Sequence, residues 1–207
     1  SPPTIFSSVS STTLCIGSSI TFSNSGGNSY TLSPTALTGN VINVTPTVIG
    51  TTVFTITGSG PFGCINTKTI SITTNGLPSV SVSPTNTTIC SGSTIVLSAS
   101  GAPNYTWSTG SNFANIAVSP TSTTSYTVVG RNTVGCEKSV SAIINVLPKP
   151  AVSINSPSTS VCFGYTMAVT ANGASNYTWS TGATTNTIMI QPFFNGTYSV
   201  VGTNGGI

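Results

Sequence analysis

The chain has 207 residues, of which four are basic, one is acidic and none is histidine; charged residues make up 2% and the net charge is +3. With Glu137 as the lone carboxylate there is no material for a Ser-His-Asp triad, a carboxylate pair, a zincin or an Asp/Glu calcium cluster. The few cations, Lys68, Arg131, Lys138 and Lys149, are too scattered for a nucleic-acid footprint. A binding or structural module is expected, not an enzyme, with no metal and no cofactor.

Disorder is excluded by the apolar fraction. Hydrophobic residues make up 37%, largely Val, Ile, Tyr and Phe, which suit a pleated, half-buried surface. Unfolded chains combine low hydrophobicity with high charge, and this chain has neither. No run approaches the length of a membrane helix, so no membrane span is expected. The start, Ser1-Pro2-Pro3-Thr4, has neither an initiator Met nor a signal peptide, and the sequence is expected to be a piece of a longer or processed chain.

In chain order, Ser29–Ser33 and Phe54–Gly58 are the first strand-like segments. Val80 and Val82 then begin a strand ended by Pro84. Ile95–Ala99 follows Cys90, and Tyr105-Thr106-Trp107 comes next. Asn115–Val118 ends at Pro120, and Tyr126–Val129 and Val140–Val146 complete the set. Further on, Asn172-Gly173, Asn195-Gly196 and Asn204-Gly205 are expected to supply positive-φ turn positions. Six or seven strands in about 72 residues describe a small β-sandwich, with almost no helix.

Self-comparison shows why the strands recur. Asn104–Gly110 and Asn176–Gly182 are identical (Asn-Tyr-Thr-Trp-Ser-Thr-Gly) and lie 72 positions apart. Cys90 and Cys162 each stand 17 residues before the tryptophan, and the same step back from Leu32 meets Cys15. Downstream, Phe54-Thr55-Ile56-Thr57-Gly58 matches Tyr126-Thr127-Val128-Val129-Gly130 and Tyr198-Ser199-Val200-Val201-Gly202. Cys64 and Cys136 lie six residues after the first two of these glycines. Three copies of one unit are therefore expected over 1–77, 78–150 and 151–207, the last without its final strand. The junctions Leu77-Pro78 and Leu147-Pro148-Lys149-Pro150 are short and proline-bearing, so neighbouring repeats should be stiffly linked.

The cysteines contain no C-x-x-C pair and have no histidine to help them, which argues against zinc or a redox centre. One disulfide per repeat is expected, Cys15–Cys64 and Cys90–Cys136. Cys162 is left unpaired because its partner would fall just past Ile207; a free buried thiol or a bond between chains are the alternatives. Disulfides imply export from the cytosol, so the chain should be secreted or held at a cell surface. Trp107 and Trp179 are expected to fill the core between the sheets, as Leu32 would in the first repeat, although an exposed tryptophan could stack on a sugar. Tyr105 and Tyr177 share the tryptophan face by strand periodicity. Phe54, Tyr126 and Tyr198 are expected in the core. Glu137 and Lys138 form a solvated pair, since an isopeptide-type arrangement does not repeat, and Arg131 is likewise unrepeated.

The run of Cys, Asn-Tyr-Thr-Trp-Ser-Thr-Gly, an Ile-x-Val/Ile-x-Pro strand (Ile116, Val118, Pro120; Ile188, Ile190, Pro192), Tyr-Thr-Val-Val-Gly and Gly-Cys resembles Ig-like/PKD-like repeats. Such repeats are strung along very large surface proteins of Bacteroidota, including gliding-motility adhesins exported by the type IX secretion system. The resemblance implies an all-β tandem array of small antiparallel sandwiches, without catalytic residues. It further implies a structural or adhesive stalk whose partners are neighbouring repeats and a surface glycan or protein ligand not identified by the sequence. A carbohydrate-binding module of a secreted protein and a filament or pilus subunit completed by strand exchange are the competing readings.

Overall fold

The computed structural model describes residues 1–205, and it is all-β: the only helical element among the described residues is a 3-10 turn at Pro61–Gly63. The first repeat holds β1 (Phe6–Val9), β2 (Thr13–Cys15), β3 (Ile20–Ser25), β4 (Ser29–Ser33), β5 (Leu37–Thr38), β6 (Val41–Val44), β7 (Gly50–Ser59) and β8 (Ile65–Asn75). The second holds β9 (Ser81–Ser83), β10 (Asn86–Cys90), β11 (Ile95–Ser100), β12 (Asn104–Trp107), β13 (Asn115–Val118), β14 (Thr124–Arg131) and β15 (Glu137–Leu147). The third holds β16 (Ser153–Asn155), β17 (Met167–Asn172), β18 (Asn176–Trp179), β19 (Thr187–Ile190) and β20 (Val200–Thr203). By contact density the chain divides into two compact units. One comprises Ser1–Ser83, Ser98–Ile116 and Thr127–Ser141; the other comprises Pro84–Leu97, Ala117–Tyr126 and the chain from Ala142 onward.

In the first repeat, the sheet β1-β3-β6 faces the sheet β2-β8-β7-β4-β5. Strict alternation builds the core between them. Ile20, Phe22, Ile42 and Val44 point inward from one sheet, and Tyr30, Leu32, Phe54, Ile56 and Ile72 from the other, while their Ser and Thr neighbours face water. The Phe22 and Phe54 rings meet at 5.2 Å across the core. The long antiparallel ribbon β7–β8 runs from Gly50 opposite Thr74 to Ser59 opposite Ile65. On its other edge β8 takes β2 in parallel, with Cys15 opposite Asn75.

The second repeat has the same plan, with sheets β10-β15-β14-β12 and β13-β11-β9. Here β10 lies parallel to β15, with Cys90 opposite Leu147. Both of these sandwiches therefore carry one parallel pair within an otherwise antiparallel scheme. In the third repeat the sheets are β16-β17-β19 and β18-β20, around a core of Val169, Ala171, Tyr177, Trp179, Ile188 and Ile190.

Candidate functional site: the cysteines, the repeated lock and an open groove

The cysteine pairing differs from the spacing-based expectation. Cys15 is bonded to Cys136, 121 residues away, with Cα atoms 5.6 Å apart; Cys64, Cys90 and Cys162 are free. Strand direction explains why Cys15–Cys64 and Cys90–Cys136 do not form. Cys15 sits beside the last residue of β8, whereas Cys64 immediately precedes its first. An eleven-residue strand at about 3.3 Å per residue separates those ends by about 35 Å, and a disulfide needs Cα atoms within about 7 Å. The eleven residues of β15 hold Cys136 away from Cys90 in the same way. The two cysteines of the first repeat, like the two of the second, thus mark opposite ends of one sandwich, and the bond that forms joins the first repeat to the second.

The hairpin carrying Cys136 is built for that junction. The Asn132 carboxamide oxygen accepts the backbone N–H groups of Val134 (3.2 Å) and Cys136 (2.8 Å), while its Nδ2 donates to the Gly76 carbonyl at 3.0 Å. One side chain both shapes the turn and ties it to the residue following β8. Cys136 is buried there, Cys64 is half-buried, and Cys90 and Cys162 are exposed.

Trp107 and Trp179 are each 2% exposed. Their indole N–H groups donate to the Phe113 carbonyl at 2.8 Å and the Thr185 carbonyl at 2.9 Å, so each buried donor is satisfied. Tyr126 is buried. Tyr198 departs from its expected core place: it precedes β20, is only half-buried and lines an open groove. In the first repeat the matching Phe54 has Ile70 opposite it on β8.

A lock recurs in all three repeats. The Tyr30, Tyr105 and Tyr177 hydroxyls accept the backbone N–H of Gly27, Ala102 and Ala174. Just before each donating N–H, Gly26, Gly101 and Gly173 have φ near +90°; a Cβ there would strike the carbonyls of Thr4, Ser79 and Ala151. Gly58, Gly130 and Gly202 pack directly under Ile5, Val80 and Val152. Among the other expected turn glycines, Gly205 is left-handed and Gly196 is not.

The third repeat carries a groove of about 550 Å³. One wall is the segment 158–163, which matches β2 in the first repeat. The other is 192–198, which runs into the match of early β7, and Met167, Val169 and Ile190 form its floor. Phe163 and Phe193 meet edge to face at 5.4 Å on its rim. Phe163 and Phe194 are 74% and 89% exposed. Sequence inspection did not reveal this groove, although the aromatic cluster Phe193-Phe194 in a polar context was a usable signal.

Elsewhere, Arg131 meets Glu137 at 3.0 Å with both side chains more than half exposed, beside a shallow hollow with Asn104, Tyr105 and Asn112. Glu137 thus pairs with Arg131 across the last hairpin and not with Lys138. Among the described residues no three His, Cys, Asp or Glu side chains gather, and no helix is long and apolar enough to cross a membrane.

No protein-family model matches the chain, and no curated protein matches it. Among solved structures it is similar to an I-band fragment of titin, with TM-score 0.39 and 14% identity over 86% of this chain and 78% of that one. It is similar to the three N-terminal domains of the bacteriophage RB49 highly immunogenic outer capsid protein, with TM-score 0.32 and 13% identity over 98% and 87%. It is also similar to the four N-terminal Ig domains of Dscam1 isoform 6.9, with TM-score 0.31 and 10% identity over 65% of this chain and 43% of that one. The chain thus spans less than half of that Dscam1 structure. The strand pairing itself makes the described residues all-β, built from several small sheets. Its disulfide suits an extracellular setting.

Proposed function

We propose that the chain is a non-catalytic structural and adhesive stalk segment of a large secreted cell-surface protein, of the gliding-motility adhesin kind, with its repeats 1–77, 78–150 and 151–207 as spacer modules. The observation that supports this reading most directly is the bond between Cys15 and Cys136, which ties one repeat to the next and leaves the interior of each sandwich to plain packing. A projecting array gains from such a link, because it holds neighbouring repeats together. Its surface of Ser and Thr, about a third of the sequence, hydrates without charge. Trp107 and Trp179 are buried in the second and third repeats, and a module that stacks sugars on its tryptophans would have to expose such indoles.

The test is replacement within the surface protein. A β-sandwich array of equal length and unrelated sequence put in place of this segment should restore adhesion if the segment is a spacer. Adhesion lost on replacement, while the swapped protein still reaches the surface, would show that the segment itself holds the ligand.

A further inference from the structure

We infer that the polar hollow on the outer face of the second repeat binds a neutral saccharide, held by Arg131 and Glu137 together with the carboxamides of Asn104 and Asn112. The inference goes beyond the spacer reading and does not rest on it.

The fold does not require the charges found there. Arg131 is the only arginine and Glu137 the only acid in the sequence, and they meet at 3.0 Å with side chains 59% and 52% exposed. In the first repeat the matching hairpin closes with Ser59 opposite Ile65, so the same ribbon forms without an ion pair. The pair is also solvated on both sides, which leaves it little weight in stability.

The strands gather further polar groups around it. Asn104 on β12 stands opposite Arg131 on β14, and Thr106 stands opposite Val129. Directly opposed residues share a face, so a carboxamide, a guanidinium and a carboxylate follow one another across β12, β14 and β15. β12 is the edge of its sheet, whereas the matching β4 has β5 alongside it. Past that edge lies Asn112, whose Oδ1 accepts the Thr106 hydroxyl at 3.3 Å. Pro103 and Val129 add apolar surface to a space of about 460 Å³, the size of a pocket for a small organic ligand.

The groups left over in the hollow select the ligand. A guanidinium has five N–H donors and a carboxylate about four acceptor sites, and one pair occupies at most two of each. The Asn112 amide offers N–H donors while its oxygen takes the Thr106 hydroxyl, and Asn104 offers both a donor and an acceptor. Neighbouring hydroxyls on a sugar ring need such a mixture, because each donates one bond and accepts others. The two charges cancel, and Lys138 falls on the opposite face of β15 by alternation. An anion is therefore opposed by Glu137 and a cation by Arg131, while a neutral polyol is opposed by neither. Pro103 and Val129 can receive the C–H face of the ring. Trp107 is buried on the other face of β12, so its fluorescence does not report on this site.

The probe is a panel of neutral disaccharides built from hexose, 6-deoxyhexose and N-acetylhexosamine units, each with its sialylated counterpart, titrated into the whole chain. At least one neutral member should give saturable shifts of the Asn104 and Asn112 side-chain amide NMR signals. Arg131→Ala and Glu137→Gln should each weaken that binding at least tenfold with the urea midpoint almost unchanged. Ser59→Ala, at the matching place of the first repeat, should leave binding as it is. Glu137→Gln also frees the guanidinium from its partner, so the sialylated counterpart should gain affinity in that variant. A panel without a saturable binder, a preference of the native chain for sialylated members, or binding that survives both substitutions would each overturn the inference. Shifts confined to the backbone amides of Asn104–Trp107 would overturn it too, and would point to a peptide strand paired on the edge of β12. The replacement experiment above reads adhesion of the whole surface protein, so the two outcomes are scored separately.

Discussion

The Val80 side chain occupies the space in which a Cβ on Gly130 would stand, with the Ala102 methyl 2.9 Å from the same point. Gly202 is covered in the same way by Val152 and Ala174, and Gly58 by Ile5 and the Tyr30 ring. Gly130→Ala or Gly202→Ala must therefore push the first strand of its repeat off the sheet. A loss of about 1–3 kcal/mol is expected, read as a lowered urea midpoint. An unchanged midpoint would mean that the strand shifts freely and is no lock.

The bond between Cys15 and Cys136 closes a loop of 121 residues, for which the chain-entropy treatment gives about 5 kcal/mol. Cys136→Ser should lower stability by that order in the absence of reductant and leave the reduced protein almost unaffected. Peptide mapping of the oxidised chain should recover the 15–136 fragment pair; recovery of 15–64 would contradict the strand directions described above.

Thr74 is 1% exposed, and its hydroxyl has no hydrogen-bond partner. Thr74→Val replaces that hydroxyl by a methyl of similar size and removes an unsatisfied polar group. Stability should rise by about 1 kcal/mol. A loss in equilibrium denaturation would indicate that the hydroxyl is satisfied in solution.

Trp179→Phe deletes the donor to the Thr185 carbonyl and leaves a void in the third core. The two effects should cost about 2–3 kcal/mol. Because both indoles are buried, tryptophan fluorescence of the native chain should stay constant when oligosaccharides are titrated in; saturable quenching would favour the sugar-binding alternative.

Charge contributes little. Arg131 and Glu137 form an exposed pair, worth at most about 1 kcal/mol, so Arg131→Ala should change stability by less than that. Thermal unfolding should move little between low and molar salt. A large shift would point to electrostatic contacts absent from the pairing described here.

Much of this architecture could be read from the repeated words of the sequence. Asn-Tyr-Thr-Trp and Tyr-Thr-Val-Val-Gly carry clean alternation, and they appear as β12, β18 and β14 with their inward residues buried. Two features stayed hidden for a shared reason. Asn86-Thr87-Thr88 opens on a residue depleted in strands and has no apolar/polar alternation, yet it forms most of β10, paired in parallel with β15. Without that strand, nothing in the spacing reveals that Cys90 lies beside the end of β15 and not its beginning. The groove of the third repeat was equally invisible, since its walls, 158–163 and 192–198, are brought together only by the fold.

A chain pulled from both ends transmits load along its shortest covalent path. Here that path runs through residues 1–15, crosses the sulfur bridge to residue 136, and leaves residues 16–135 slack. At about 3.4 Å per extended residue the sheltered stretch amounts to roughly 400 Å of hidden contour length, far more than a link within one sandwich would hold back. Cutting that single bond by reduction would hand the whole reserve to the pulling force, so the redox state of its surroundings sets how far this segment can be drawn out before it breaks.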